Sequence, residues 1–262
     1  MPSLAQHPDL QVELPMTNSR VEGEGDFARA ASDFSATLLA MAGHDLRQPL
    51  QVIVGAHDLL ARIPHGGAAQ AQLTRAEDAT KQLADQLDQL VEALRLREFA
   101  NGDQIEPVLL GPTLEQLASE FAEPARLKGV RLRVIPVGAA VFSHPVLLMG
   151  ILRNLARNAI EYTPSDGRVL IGCRRHGSQM RLEVRDSGIG IAGADLGKVF
   201  RAFHRADTIP SEGLGLGLFI VKSAADFLGH RIEVSSEIGR GSCFAVVAKV
   251  ALPSATATPT AA

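Results

Sequence analysis

Between residues 32 and 63, Leu39, Leu46, Leu50, Ile53 and Leu60 fall in one narrow sector when the chain is wound at ~100° per residue, which predicts a helix with a single buried stripe. Pro64, Gly66 and Gly67 break it, and a second helix is predicted from about 68 to 99. In that second segment Leu73, Ala76, Thr80, Leu83, Leu87, Leu90 and Leu94 alternate gaps of three and four, the repeat of a coiled-coil seam. Two such helices in a hairpin cover only part of their stripes. Pairing two hairpins into a four-helix bundle covers the rest, so a homodimer through residues 32–100 is expected.

The pattern changes after residue 100. The stretch 101–111, with Gly102, Pro107 and Gly111, reads as a linker. Beyond it, periods of 3.6 and 2 mix: helices are predicted at 112–127, 144–162 and 217–228, and strands at 130–134, 169–174, 180–184, 232–235 and 244–250. The fold class expected is α+β, a helical hairpin followed by an α/β sandwich at 112–250. Residues 1–31 and 251–262 lack periodicity and are expected to be disordered.

Composition narrows the picture. A net charge of −3 without a Lys/Arg run gives no electrostatic footprint for nucleic acid, and none is expected as a partner. No stretch approaches the ~20 apolar residues that span a bilayer, and the N-terminus lacks the basic-then-apolar order of a secretion signal. A cytoplasmic protein without membrane insertion is expected. Cys173 and Cys243, far apart in apolar stretches, read as buried reduced thiols.

Four stretches carry candidate chemistry. In "MAGHDLRQPLQ" His44 lies nearly opposite the leucine stripe and faces outward, whereas His57 lies on the stripe and reads as a packing residue. Pro49 removes the N–H that would bond the carbonyl of Asp45, so a bend is expected beside the histidine. In "RNLARNAIEYTP" Asn154, Asn158 and Tyr162 share one helix face; an amide oxygen is a neutral hard ligand for Mg²⁺, but a solvated pair of amides fits the pattern equally. "VRDSGIGI" sets Asp186 at a strand end before Gly188 and Gly190, where a carboxylate can accept from an exocyclic amine. "SEGLGLGLFIVK" places Gly213, Gly215 and Gly217 at a helix start, which favours phosphate. Each glycine cluster alone also fits an ordinary turn.

Taken in order, "HDLRQPL", "NLARNAIEYTP", "DSGIGI", "KVFRAFHR" and "GLGLGLFIVK" resemble the sensor histidine kinases of two-component systems over residues 35–250, most closely the subgroup reading HDLRQPL. The resemblance implies a dimerisation and phosphoacceptor hairpin joined to an ATP-binding domain of the Bergerat type shared with topoisomerase and chaperone ATPases. It implies that His44 receives the γ-phosphoryl group, that Asp45 orients its imidazole as the adjacent base, and that Gln48 stands where a side chain orients water to dephosphorylate the partner. For ATP it implies Asn158 as Mg²⁺ ligand, Asn154 near the phosphates, and Asp186 on the adenine amine with Gly188 and Gly190 shaping its pocket. Tyr162 and Arg205 complete that set, together with Gly213, Leu214, Gly215, Leu216 and Gly217, which wrap the phosphates behind a lid at about 206–212. Phe200 and Phe203 match the phenylalanine box, and Lys198 is expected to pair with an acidic neighbour.

The implied activity is an ATP-dependent protein-histidine kinase that passes phosphate to an aspartate on a response regulator receiver domain, with an upstream input protein. One departure favours an alternative. Glu161 stands where close relatives commonly carry Lys or Arg, and a carboxylate there repels ATP unless turned away, which suits a catalytically weak phosphotransfer or docking dimer. An ATPase of the chaperone kind fits less well, because the position of its catalytic Glu is Asn154 here.

Overall fold

The structure is a computed structural model. It describes residues 12–13, 50–57, 59, 69–77, 79–80, 83–84, 87, 105–202, 204 and 215–251. The chain forms two compact units: Met1–Thr17, Asp103–Phe200 and Leu218–Ala262 make one, and Asn18–Gly102 with Arg201–Gly217 make the other.

In the smaller unit, 50–57 and 69–77 are helical, as the periodicity requires. Ala56 and Ala79 are buried, and Ala76 and Leu83 are half-buried. Leu73 and Leu87 stay 42% and 44% exposed, as does Leu50 at 49%. The predicted seam therefore divides into an inward part and an adjoining exposed apolar stripe. His57, read as a packing residue, is exposed in the single chain and lies one heptad from Leu50 on that stripe.

The larger unit is a sheet with helices on one face. Its elements are β1 (Val12–Glu13), β2 (Glu106–Leu109), α1 (Leu110–Lys128), β3 (Arg131–Val134), β4 (Ala140–Ser143), α2 (Pro145–Glu161), β5 (Arg168–His176), β6 (Gln179–Asp186), α3 (Gly217–Phe227), β7 (Arg231–Glu237) and β8 (Gly241–Ala251). The strand order is β1-β7-β8-β6-β5-β3, with β2 and β4 attached through the end of β8. Every pairing is antiparallel except β3 with β5. Leu114 and Leu117 of α1 and Leu148, Ile151, Leu152 and Leu155 of α2 are fully or almost fully buried with Ile171 and Leu182 of the sheet. Arg153 of α2 holds Glu120 of α1 through two bonds of 2.6 and 2.7 Å.

Two expectations are corrected. The segment 101–111 contains β2 and the start of α1. Its Pro107 sits in a strand paired on one side only, and its Gly111 and Pro112 in a first helical turn whose N–H groups have no intrahelical partner, so these residues punctuate nothing. The N-terminal segment was expected to be disordered, yet Val12–Glu13 pair with β7 as an edge strand, which occupies backbone groups β7 would otherwise leave open. The other element ends agree with the pattern within a few residues.

The sheet's second face is built from charge. Glu183 on β6 is only 6% exposed, and Gly172 and Ala245 stand directly beside it on the neighbouring strands. That space admits Arg181 and Arg185, each 2.8 Å from one carboxylate oxygen. Burial alone would raise the pKa of Glu183, but Arg185 and Arg181 hold it below the usual carboxylate range. Arg181 also pairs with Glu233, which takes Arg231 at 2.7 Å. The alkyl stems of these arginines cover the strands while Glu183 and Glu233 offset their charges.

Candidate nucleotide site

α2 supplies one wall. Asn158 is half-buried, and its side chain has no hydrogen-bond partner among the described residues. Asn154, one turn earlier, is 1% exposed and gives its amide N–H to the Gly150 carbonyl at 3.0 Å. The two amides predicted to act together thus differ: Asn158 is available and Asn154 is built into the helix. Tyr162 ends α2, its carbonyl accepting the Ile189 N–H at 3.2 Å.

The helix end is held from outside by Lys128, whose ammonium donates to the carbonyl oxygens of Ile160 and Glu161. A cation on the last carbonyls of a helix satisfies acceptors that have no intrahelical donor. Burial lowers the Lys128 pKa while the charge of Glu161 raises it. Glu161 itself is exposed. Its carboxylate therefore lies in the field of Lys128, which offsets the repulsion that its sequence position suggests.

Asp186 ends β6 and forms the floor. Its Oδ1 accepts the backbone N–H groups of Gly188 at 2.8 Å and Ser242 at 3.1 Å. Its Oδ2 has no partner among the described residues. Burial raises the Asp186 pKa, and the two N–H donors oppose the rise. Gly188 is obligatory, because a Cβ there would lie 2.3 Å from the Tyr162 carbonyl oxygen. Gly190, with φ 73°, would place one 2.0 Å from the Glu237 carbonyl oxygen. The loop 187–191 is bonded to the β7–β8 turn: Gly239 N–H donates to Ile189 O at 2.7 Å and Ile191 N–H to Ser236 Oγ at 2.8 Å.

Of the glycine-rich stretch, Gly215 adopts a left-handed φ of 65°, Leu216 is fully buried and Gly217 opens α3. Phe200 is buried edge-on to Phe244 at 6.2 Å, and Lys198 pairs with Asp195 at 3.3 Å, the acidic neighbour expected of it. His44, Asp45, Gln48, Phe203, Arg205, Gly213 and Leu214 lie outside the described residues. Sequence reasoning missed Ser236, Gly241 and Ser242. Gly241, φ 97°, comes so close to Asp186 that a Cβ would stand 2.1 Å from its carbonyl oxygen. Cys173 and Cys243 are free thiols, and burial raises the pKa of both, Cys173 to about 12.

The fold thus gathers a half-buried carboxylate at a strand end, glycine backbone above it and an unspent asparagine on the adjoining helix. Residues 143–252 match the family of "Histidine kinase-, DNA gyrase B-, and HSP90-like ATPase" domains, and residues 35–99 match the "His Kinase A (phospho-acceptor) domain". The two together span about two thirds of the sequence, and the chain belongs to the two-component sensor histidine kinases.

Among its relatives are the sensor histidine kinase AtsR of Burkholderia thailandensis, 32% identical over 89% of this chain and 41% of that protein, and the sensor-like histidine kinase SenX3 of Mycobacterium tuberculosis, 33% identical over 86% and 56%. The chain thus spans about half the length of these relatives. Its fold resembles histidine kinase ThkA, solved in complex with response regulator TrrA (TM-score 0.65, 18% identity, 89% of this chain and 68% of that one). It also resembles full-length ShkA, solved with AMPPNP (TM-score 0.59, 24% identity, 89% and 47%). No described helix is long and apolar enough to cross a membrane, and no described group of His, Cys, Asp or Glu could hold a metal ion.

Proposed function

We propose that this chain is an ATP-dependent protein-histidine kinase that phosphorylates its own His44 and passes the phosphoryl group to an aspartate on a separate response regulator. The observation that carries the reading is Asp186: a carboxylate with one oxygen fixed by two backbone N–H groups and the other unspent, in a chain that also matches a phosphoacceptor domain. Asp186 binds the adenine amine. Asn158, with its unspent amide, is the protein ligand for Mg²⁺, which when bound neutralises phosphate charge; one neutral side chain suits a metal that keeps waters and phosphate oxygens as its other ligands. Asn154 positions the helix beneath it. Gly215 and Gly217 bring backbone N–H groups to the phosphates.

His44 attacks the γ-phosphorus from a neutral imidazole as the bond to the bridging oxygen breaks and ADP leaves, while Asp45 takes the proton of the other ring nitrogen. The exposed stripe of Leu50, Leu73 and Leu87 supports the homodimer, since a second hairpin would bury it. The experiment is incubation with γ-labelled ATP and Mg²⁺. Acid-labile label is expected in the wild type and absent in His44→Ala; equal labelling of both removes His44 from the role. The weak-kinase alternative rests on Glu161, whose carboxylate shares the field of Lys128.

A further inference from the structure

The β7–β8 turn does more than hold the loop above Asp186. Ser236 and Ser242 are directly paired across the two strands, with their hydroxyl oxygens 2.9 Å apart. Ser236 Oγ also accepts the Ile191 N–H at 2.8 Å and donates to the Gly241 carbonyl at 3.0 Å. A hydroxyl has one proton and two acceptor lone pairs. With its proton on Gly241 and one lone pair on Ile191, Ser236 can meet Ser242 only as an acceptor. The Ser242 proton is therefore directed at Ser236, and what Ser242 Oγ offers elsewhere is lone pairs.

Ser242 belongs to the same site as Asp186, because its backbone N–H donates to Asp186 Oδ1 at 3.1 Å. Both residues are half-buried, so neither is sealed from a ligand. We propose that Ser236 is a positioning residue for base specificity: by fixing the Ser242 proton it leaves Asp186 and Ser242 as acceptors only, so the site takes a 6-aminopurine nucleotide and rejects a 6-oxopurine one. A 6-amino group supplies donors to such a floor. At that position a 6-oxo group sets lone pairs against lone pairs, a mismatch on which sites built to hydrogen-bond their substrates discriminate strongly. The inference rests on the nucleotide reading of this site.

The test measures binding of the full chain to Mg²⁺ with AMPPNP and with GMPPNP by calorimetry, with the unfolding midpoint recorded for each variant. Ser236→Ala frees the Ser242 hydroxyl to turn and donate to a carbonyl. The preference for AMPPNP over GMPPNP is expected to fall about tenfold, the scale of one hydrogen bond. Ser236→Thr keeps the hydroxyl and should keep the preference. In a Ser242→Ala background, Ser236→Ala should change the preference no further, since the two act as one unit. Ser236→Ala weakening both nucleotides equally, or neither, would overturn the inference and leave the nucleotide site standing. A wild type that binds neither nucleotide would remove the site assignment itself.

Discussion

Replacing Asp186 by Asn should move binding and stability in opposite directions. The side chains are nearly isosteric, and the Asn carbonyl oxygen can keep both backbone donors, from Gly188 and Ser242. The Nδ2 group then points where Oδ2 stood and meets an adenine amine donor to donor. Losing one hydrogen bond to a charged acceptor in a partly desolvated site costs about 2–3 kcal/mol, which is about 30-fold to 150-fold in Kd. Stability follows from the pKa. Burial raises the folded value of Asp186, so its stabilising contribution is fully present below the unfolded pKa and is lost as pH rises through the folded one. Near pH 7 the wild type carries the cost of a buried charge and the variant does not. The variant should therefore unfold at higher urea concentration than wild type at pH 7, and the difference should close below pH 4. Calorimetric titration with AMPPNP gives the first quantity and urea unfolding at the two pH values the second. An unchanged Kd, or a variant less stable than wild type at pH 7, refutes the reasoning.

Further outcomes follow from the same geometry. His230 is 4% exposed and bonded to Ser143 Oγ at 2.9 Å, and burial pushes its pKa down to about 4. Because the folded value lies below the ordinary 6.5 of a histidine, stability is lost as pH falls from there towards 4, by about 3 kcal/mol for a shift of this size; urea unfolding of His230→Gln should lack that slope. Gly190→Ala combines a left-handed φ with a Cβ 2.0 Å from Glu237 O. It should cost at least about 2 kcal/mol and abolish detectable AMPPNP binding. Lys128→Met removes the cation from the end of α2 and uncovers Glu161. A loss of about 1 kcal/mol in thermal unfolding and a several-fold weaker nucleotide affinity are expected, and Glu161→Gln should restore the affinity but not the stability.

What was legible in the sequence was whatever repeats locally. The alternations of Val169–Ile171 and Ile232–Val234 and the apolar run along α2 predict their elements because each is set by its own neighbours. β2 and β4 were missed: β2 carries a proline that only its edge position tolerates, and β4, with Ala140, Val141 and Ser143 all buried, does not alternate. At the site, Asp186, Gly188 and Gly190 were readable from adjacency. Ser242 was not, because it reaches Asp186 across 56 residues of sequence and does so with a backbone N–H, which leaves no side-chain signature. Ser236 accepts with its own side chain from a loop 45 residues away, a separation that adjacency in sequence does not reveal. Asn154 and Asn158 look alike in the pattern, and only packing separates the structural amide from the available one.

The charged face of the sheet also bears on how such a domain can change over generations. Glu183, Arg181, Arg185 and Glu233 share partners with one another and, among the described residues, none with Asn158, Gly188 or Ser236. Substitutions on the two sides of the strands should therefore combine additively. Selection can remodel that face only by exchanging the shared partners together, since a charge left without its partner there would be stranded, while the chemistry on the opposite side is inherited intact.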